Sequence, residues 1–231
     1  MIAPGALALF GASGRTGRVV LAEALRRGWP VRALVRDALR LRPTPGLELT
    51  VGDARDSGAI DSTLRPSVDT PAVRAVLCAL GMHDFSVPAT DFSDSVRAIV
   101  AGMRRQGVRR LVLVASGAAL DHPQGGYRGE HDPPEVLRHV IAEHLRNHRT
   151  LNQAGEEWGL QWTLMCPLNL VDDIPAGHAR RAFERLPEGS GETGMPDLAL
   201  AMCDLLDDTA AIGQRVGIVS IRPGATEAKS S

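Results

Sequence analysis

Short apolar runs alternate with segments of helical period about six times along this chain, and few architectures accommodate that rhythm. Ala6-Leu7-Ala8-Leu9-Phe10 is a continuous apolar run ending at Gly11, as a strand buried on both faces requires. Val19, Val20, Ala24 and Leu25 then recur at helical spacing until Gly28 stops them. The same reading predicts further strands at 31–35, 47–51, 75–80, 111–115, 161–165 and 215–221. Between them it predicts helices from Ser57 to before Pro66, from Thr90 or Asp91 to near Gly107, over 135–155 and over 196–207. Parallel strands need long crossover connections, usually helical, so the pattern specifies an α/β fold: a Rossmann-like, doubly wound parallel sheet. No internal repeat or linker divides the chain. Residues 1–223 are therefore expected to form a single domain, with a polar, flexible tail at 224–231.

Two stretches break the rhythm: 117–134, with four glycines and three prolines, and 171–195. Each follows a predicted strand, at the carboxyl edge of the sheet, where open α/β folds bind ligands. Irregular segments of this length in this place are expected to wall a substrate site.

Composition excludes several classes. The formal net charge of the 231 residues is −1, which leaves no cationic excess for a phosphate backbone, so no nucleic-acid partner is expected. No apolar run approaches the roughly 20 residues of a membrane helix, and no charged region precedes an apolar one at the N-terminus. A cytoplasmic protein acting on a small molecule is expected, as a monomer or small homo-oligomer and without a membrane partner. Cys78, Cys166 and Cys203 are scattered through apolar runs with no CxxC pair, so they read as buried free thiols. Arg104-Arg105 and Arg109-Arg110 read as a solvated helix end and the approach to a strand.

The turn after the first strand carries chemistry. Gly11, Gly14 and Gly17 stand three apart, which suits a tight turn, close approach of a pyrophosphate and close packing of helix on strand. The pyrophosphate would then meet the N-terminus of the following helix, whose free N–H groups favour an anion. The second strand ends Val35-Arg36-Asp37. An acidic residue there suits a ribose 2′-hydroxyl, whereas arginine suits a 2′-phosphate. With Arg36 first, and Arg15, Arg32 and Arg40 expected nearby, NADP(H) is favoured over NAD(H). The competing reading has Asp37 on the ribose and Arg36 in solvent.

These segments resemble a known group. GASGRTG (11–17), VRALVRD (31–37), VGDARD (51–56), LGMHD (80–84) and LVLVASG (111–117) resemble the atypical short-chain dehydrogenases. With HLRNHRTL (144–151) and GLQWTLMCP (159–167), the likeness is closer to the NmrA-like branch that includes the biliverdin-IXβ/flavin reductases. The resemblance implies that Gly11, Ser13, Gly14, Arg15, Thr16 and Gly17 hold the pyrophosphate, and Arg36 and Arg40 the 2′-phosphate. It implies Asp53 and Ala54 at the adenine, and Leu80, Gly81 and His83 along the ribose and nicotinamide path. It places Ser116 beside the nicotinamide, with Pro167, Leu168 and Asn169 closing the floor.

The departures are equally informative. Short-chain dehydrogenases generally use a Tyr-x-x-x-Lys pair, but the only tyrosine, Tyr127, is followed four residues on by His131, and the only lysine is Lys229. Leu168 and Asn169 stand near where the biliverdin-reducing relatives carry a histidine, so the resemblance does not bring tetrapyrrole reduction with it. His144 and His148 lie four apart on a predicted helix; without HExxH or a third ligand they do not indicate a metal site. The expected activity is NADPH-dependent hydride transfer to a small planar acceptor, a flavin or quinone, which needs positioning more than a strong acid. Ser116 would polarise the acceptor, and His144 or His148 would donate a proton. A non-catalytic NADP(H)-sensing regulator fits the same residues, and a sugar-nucleotide epimerase fits less well because that chemistry also relies on the missing tyrosine.

Overall fold

The computed structural model describes residues 5–67, 70–82, 90–131, 133–189 and 191–222. Its strands are β1 (Ala6–Phe10), β2 (Val31–Val35), β3 (Leu47–Val51), β4 (Val73–Cys78), β5 (Arg110–Val114), β6 (Gln161–Pro167), β7 (Asn169–Val171), β8 (Ala179–Phe183), β9 (Glu192–Gly194) and β10 (Gln214–Ser220). Its helices are α1 (Arg15–Arg26), α2 (Ser57–Leu64), α3 (Asp91–Gln106), α4 (Arg138–Trp158) and α5 (Met195–Asp204). The main sheet runs β3-β2-β1-β4-β5-β6-β10-β8. Its first six strands repeat the 3-2-1-4-5-6 order of the doubly wound dinucleotide-binding sheet. All neighbours are parallel except β8, which pairs antiparallel with β10, and a separate ladder joins β7 to β9.

Side-chain alternation along each strand builds two cores. Ala6, Ala8 and Phe10 of β1 face one layer with Ile60 of α2, Phe92 and Ile99 of α3, and Leu151 of α4. Leu7 and Leu9 face the other, with Val20 of α1 and Leu198 and Met202 of α5. Burial on both faces is why these strands are continuously apolar in sequence. Cys78, Cys166 and Cys203 are buried and free, and burial raises each thiol, to about 12 for Cys78 and Cys203. Among the described residues no helix is long and apolar enough to cross a membrane.

The structure differs from the expected elements in three places. Helix α4 begins at Arg138 after a 3-10 turn over Glu135–Leu137, runs through Gly155 and stops at Gly159, whose φ is +76°. Gly155 is a packing glycine: a Cβ there would lie 3.3 Å from Nε1 of Trp162. The segment 171–195 is not wholly irregular but contains β8 and β9, whose polar outward residues Arg180, Arg181 and Glu192 hide the strand pattern. Arg110 is not solvated. It is 3% exposed and donates to the Leu205 and Leu206 carbonyls at the end of α5, to the Gln161 carbonyl and to Thr163 Oγ1, tying α5 to the sheet.

Candidate functional site

The turn from β1 into α1 shows what each glycine is for. Gly11 adopts φ +85°, and a Cβ there would lie 2.6 Å from the Ala79 carbonyl beyond β4. A Cβ on Gly17 would lie 2.0 Å from the Gly11 carbonyl oxygen, so only glycine lets α1 sit this close to the loop. Gly14 is different. Its backbone is ordinary (φ −76°, ψ 171°), and its Cβ would meet nothing nearer than the Gly11 oxygen at 3.3 Å. The fold itself does not demand glycine at 14, but a group approaching the backbone closely would. No side chain caps α1, and its first turn holds no acidic residue, so its leading N–H groups are suited to an anion.

These residues border a cavity of about 560 Å³ along the carboxyl edge of the sheet. Gly11, Ser13, Gly14 and Arg15 form one wall, and Leu80 and Gly81 beyond β4 form another. Arg36 and Arg40 close one end, with Asp53 and Ala54 after β3 beside them. Arg18 locks this geometry by donating to the Ser13 carbonyl (3.2 Å) and the Arg40 carbonyl (2.6 Å), so the glycine turn and the arginine turn move as one. Arg32 does not join this cluster. It is the second residue of β2, toward the opposite edge of the sheet, and is buried against Glu48 (3.0 Å) and the Ser62 carbonyl (3.0 Å).

The two carboxylates near the arginines are already engaged. Asp37 accepts from the Leu39 N–H (2.9 Å) and so caps the 3-10 turn Ala38–Arg40. Asp53 accepts from the backbone and side chain of Arg55, both at 2.9 Å. Those bonds hold its carboxyl below the usual range, and the nearby charge of Arg36 lowers it further. Arg55 reaches on to Asp91 (2.7 Å), joining the β3 turn to the start of α3.

Other expected residues stand elsewhere. Thr16 lies behind the glycine turn with its hydroxyl 3.9 Å from Met195 Sδ. Ser116, after β5, accepts the Ala118 N–H at 3.2 Å. Leu168 is 48% exposed; a Cβ on Gly117 would lie 2.7 Å from its Cδ1, and one on Gly191 3.2 Å from its Cδ2. Pro167 ends β6 buried, and Asn169 opens β7 beside Glu192. His144 packs edge-on against Phe92, ring centres 5.3 Å apart; Phe92 lines the cavity and His144 is not among its lining residues. Burial pushes its imidazole down to about 4. His148 is bonded through Nδ1 to the Tyr127 hydroxyl (2.9 Å) and packs against Trp162, near the amino end of β6. Burial, aided by Arg215, also lowers it to about 4. His83 lies outside the described residues.

Sequence reasoning missed Arg55, Met82, Phe92 and Ser95 as cavity-lining residues. Phe92 and Ser95 carried a usable signal, since the first turn of a helix following a parallel strand faces the carboxyl edge. It also missed the partner of Arg15, which donates to Asp172 through Nε (3.3 Å) and Nη2 (2.8 Å). Among the described residues no group of three or more His, Cys, Asp or Glu is placed to hold a metal ion.

Comparison with known proteins agrees with this geometry. YwnB of Bacillus subtilis, an uncharacterized protein, is 23% identical over 228 residues, covering 93% of this chain and 98% of its own. A candidate epimerase from Bacteroides thetaiotaomicron superposes with a TM-score of 0.80 at 21% identity, over 95% of this chain and 99% of that one. A candidate NADH-flavin reductase from Streptococcus pneumoniae gives 0.75 at 18% identity, over 94% and 100%. The profile of the NAD(P)H-binding family matches residues 11–209, from the first glycine of the turn to the segment beyond α5. The chain belongs to the NAD(P)H-binding family.

Proposed function

We propose that the protein is an NADPH-dependent oxidoreductase that transfers hydride to a small planar acceptor, a flavin or a quinone. One observation carries the cofactor preference. Arg36 and Arg40 border the same cavity as the glycine turn, while the rival Asp37 spends a carboxylate oxygen on the Leu39 N–H. A 2′-phosphate at that end meets two guanidinium groups, whereas Asp37 is not among the residues bordering the cavity and Asp53, which is, is bonded to Arg55. The acceptor class draws on the resemblance to flavin reductases and on the flavin-reductase description of the Streptococcus neighbour.

The chain's residues have definite work in this reading. The bound nicotinamide supplies the hydride. Gly14 and the N-terminus of α1 hold the pyrophosphate, and Arg36 and Arg40 hold the 2′-phosphate. Ser116, which is not among the residues bordering the cavity, accepts from the Ala118 N–H, leaving its hydroxyl to hydrogen-bond an acceptor beyond the cofactor cavity without giving up its proton. His144 and His148 are buried and neutral at pH 7, so neither supplies a charged acid. That suits an electron-poor conjugated acceptor, whose reduction takes its proton from solvent. A second reading, an NADP(H)-sensing regulator, is favoured by the neutrality of both buried histidines among the described residues.

Following nicotinamide absorbance with NADPH and then NADH, against FMN, riboflavin and quinones, separates them. Enzyme-dependent oxidation preferring NADPH is expected. Binding without turnover would favour the sensor. Arg36→Ala should weaken NADPH by about tenfold to a hundredfold, the worth of a charged hydrogen bond, and leave NADH nearly unchanged. Equal losses for both would remove the specificity argument.

A further inference from the structure

Arg15 opens helix α1, borders the cavity, and reaches out of it. Its Nε and Nη2 form a fork on the Asp172 carboxylate at 3.3 and 2.8 Å, and Nη2 also approaches the Leu170 carbonyl at 3.4 Å. Asp172 follows β7, in the segment expected to wall the substrate site. Its neighbour Asp173 is held differently. Arg222, just past β10, donates to Asp173 at 2.9 and 3.3 Å and to Glu192 of β9 at 3.0 Å. Adjacent aspartates thus fasten one turn to two bodies: Asp173 to the β9–β10 end of the sheet, Asp172 to the cofactor turn.

We propose that Asp172 competes with the dinucleotide phosphate for Arg15, so that phosphate binding releases this turn from the glycine loop while Asp173 keeps its base in place. The inference rests on the dinucleotide that the family binds, not on NADP preference or the acceptor. Charge and exposure make the exchange favourable. The side chains of Arg15 and Asp172 are 56% and 73% exposed, and ion pairs so exposed contribute little. A pyrophosphate at the N-terminus of α1 offers the same fork two anionic groups, with the helix end supporting the charge. A carboxylate left beside those phosphates would repel them, so the pair and the bound cofactor oppose each other. Asp172 is then a positioning residue that sets cofactor affinity through Arg15 and couples it to the wall of the acceptor site.

The test is titration of NADPH and NADH fluorescence with wild type, Asp172→Asn, Asp173→Asn, Arg15→Gln and the Arg15→Gln/Asp172→Asn double variant. Asp172→Asn is expected to bind both nucleotides about twofold to fivefold more tightly, the inverse of an exposed ion pair. Asp173→Asn, which loosens the base of the turn, should not bind more tightly than wild type, which separates the specific pair from removal of any nearby negative charge. In the Arg15→Gln background the Asp172 effect should vanish, which a merely structural role would not produce. Weaker binding by Asp172→Asn would mean that the carboxylate aims Arg15 at the phosphate, and would overturn the proposal. So would unchanged binding, or a gain that survives Arg15→Gln. Wild type binding neither nucleotide would overturn the functional reading as well, and so is distinct from failure of this step alone.

Discussion

Gly14 offers the sharpest separation of fold from function, because the protein does not need glycine there. Its φ and ψ suit alanine, and an added methyl would touch only the Gly11 carbonyl oxygen, at 3.3 Å, a close contact that the turn relieves by giving a few tenths of an ångström. Two small effects act on stability. Replacing glycine restricts the unfolded chain, worth roughly 0.4–1 kcal/mol in favour of alanine, while the position before a helix prefers glycine to alanine by a similar amount. Gly14→Ala should therefore shift Tm by no more than about 2 °C in a domain of this size. Binding should respond very differently. On the proposed reading a methyl here would hold the phosphate off the backbone N–H groups, and losing one such charged hydrogen bond costs about 1.5–3 kcal/mol. NADPH affinity should fall by about tenfold to 150-fold.

Gly17→Ala should do the reverse. Its Cβ would lie 2.0 Å from the Gly11 oxygen and 2.8 Å from the Ala12 Cα, backbone atoms that cannot step aside. Overpacking of this kind costs roughly 1–3 kcal/mol, a fall in Tm of about 2–12 °C. Differential scanning fluorimetry without ligand, beside an NADPH fluorescence titration, reads both quantities on both variants. If Gly14→Ala melts early and binds normally, the cavity is not a phosphate site and the assignment of the turn fails.

Two further outcomes follow from buried groups. Arg110→Met should lower stability by about 2–4 kcal/mol in urea titrations, since it strands the Leu206 and Gln161 carbonyls, although burial already pushes the guanidinium down to about 10. Wild-type stability in that variant would show the buried cation to be dispensable. His144 is held neutral in the fold, down to about 4 from an ordinary 6.5, so the unfolded chain takes up its proton first. Stability should be fully present above pH 6.5 and fall by about 1.4 kcal/mol per pH unit from this residue as pH drops toward 4. His144→Leu should flatten that slope, with His148 supplying what remains; an unchanged slope would contradict the assignment.

The sheet was legible because its physics is local and repeated. Ala6–Phe10 is buried along its whole length, and so is Leu111–Val114, so unbroken apolar runs locate both without knowledge of their neighbours. Edge strands give no such signal. β8 presents Arg180, Arg181 and Phe183 to solvent and owes its existence to backbone pairing with β10, a partner thirty-odd residues away that no local pattern announces. The glycine turn was legible for the same reason as the core, since Gly11 and Gly17 answer to contacts within the turn or with the strand beside it.

Arginine is where sequence reading loses resolution. Arg15, Arg32, Arg36 and Arg40 are alike on paper, and all four fit a cluster around one phosphate. Chain direction decides otherwise: four residues of extended strand separate Arg32 from Arg36, about 13 Å, which sends one to each edge of the sheet. The buried histidines fail similarly. Helical spacing puts His144 and His148 on one face, but whether that face meets a cavity or a core depends on α3, and it is Phe92 of α3, against which His144 packs, that lines the cavity. A catalytic role for a side chain requires a route to the reacting atoms, and spacing along one helix contains no information about what the next helix places in the way. By that criterion the glycine turn, Arg36 and Arg40 have access, since they border the cavity directly, and so do Arg55 and Ser95, which sequence reading passed over. On the proposed reading these residues hold and aim a dinucleotide, and the acceptor's own electron demand would do what a tyrosine–lysine pair does elsewhere.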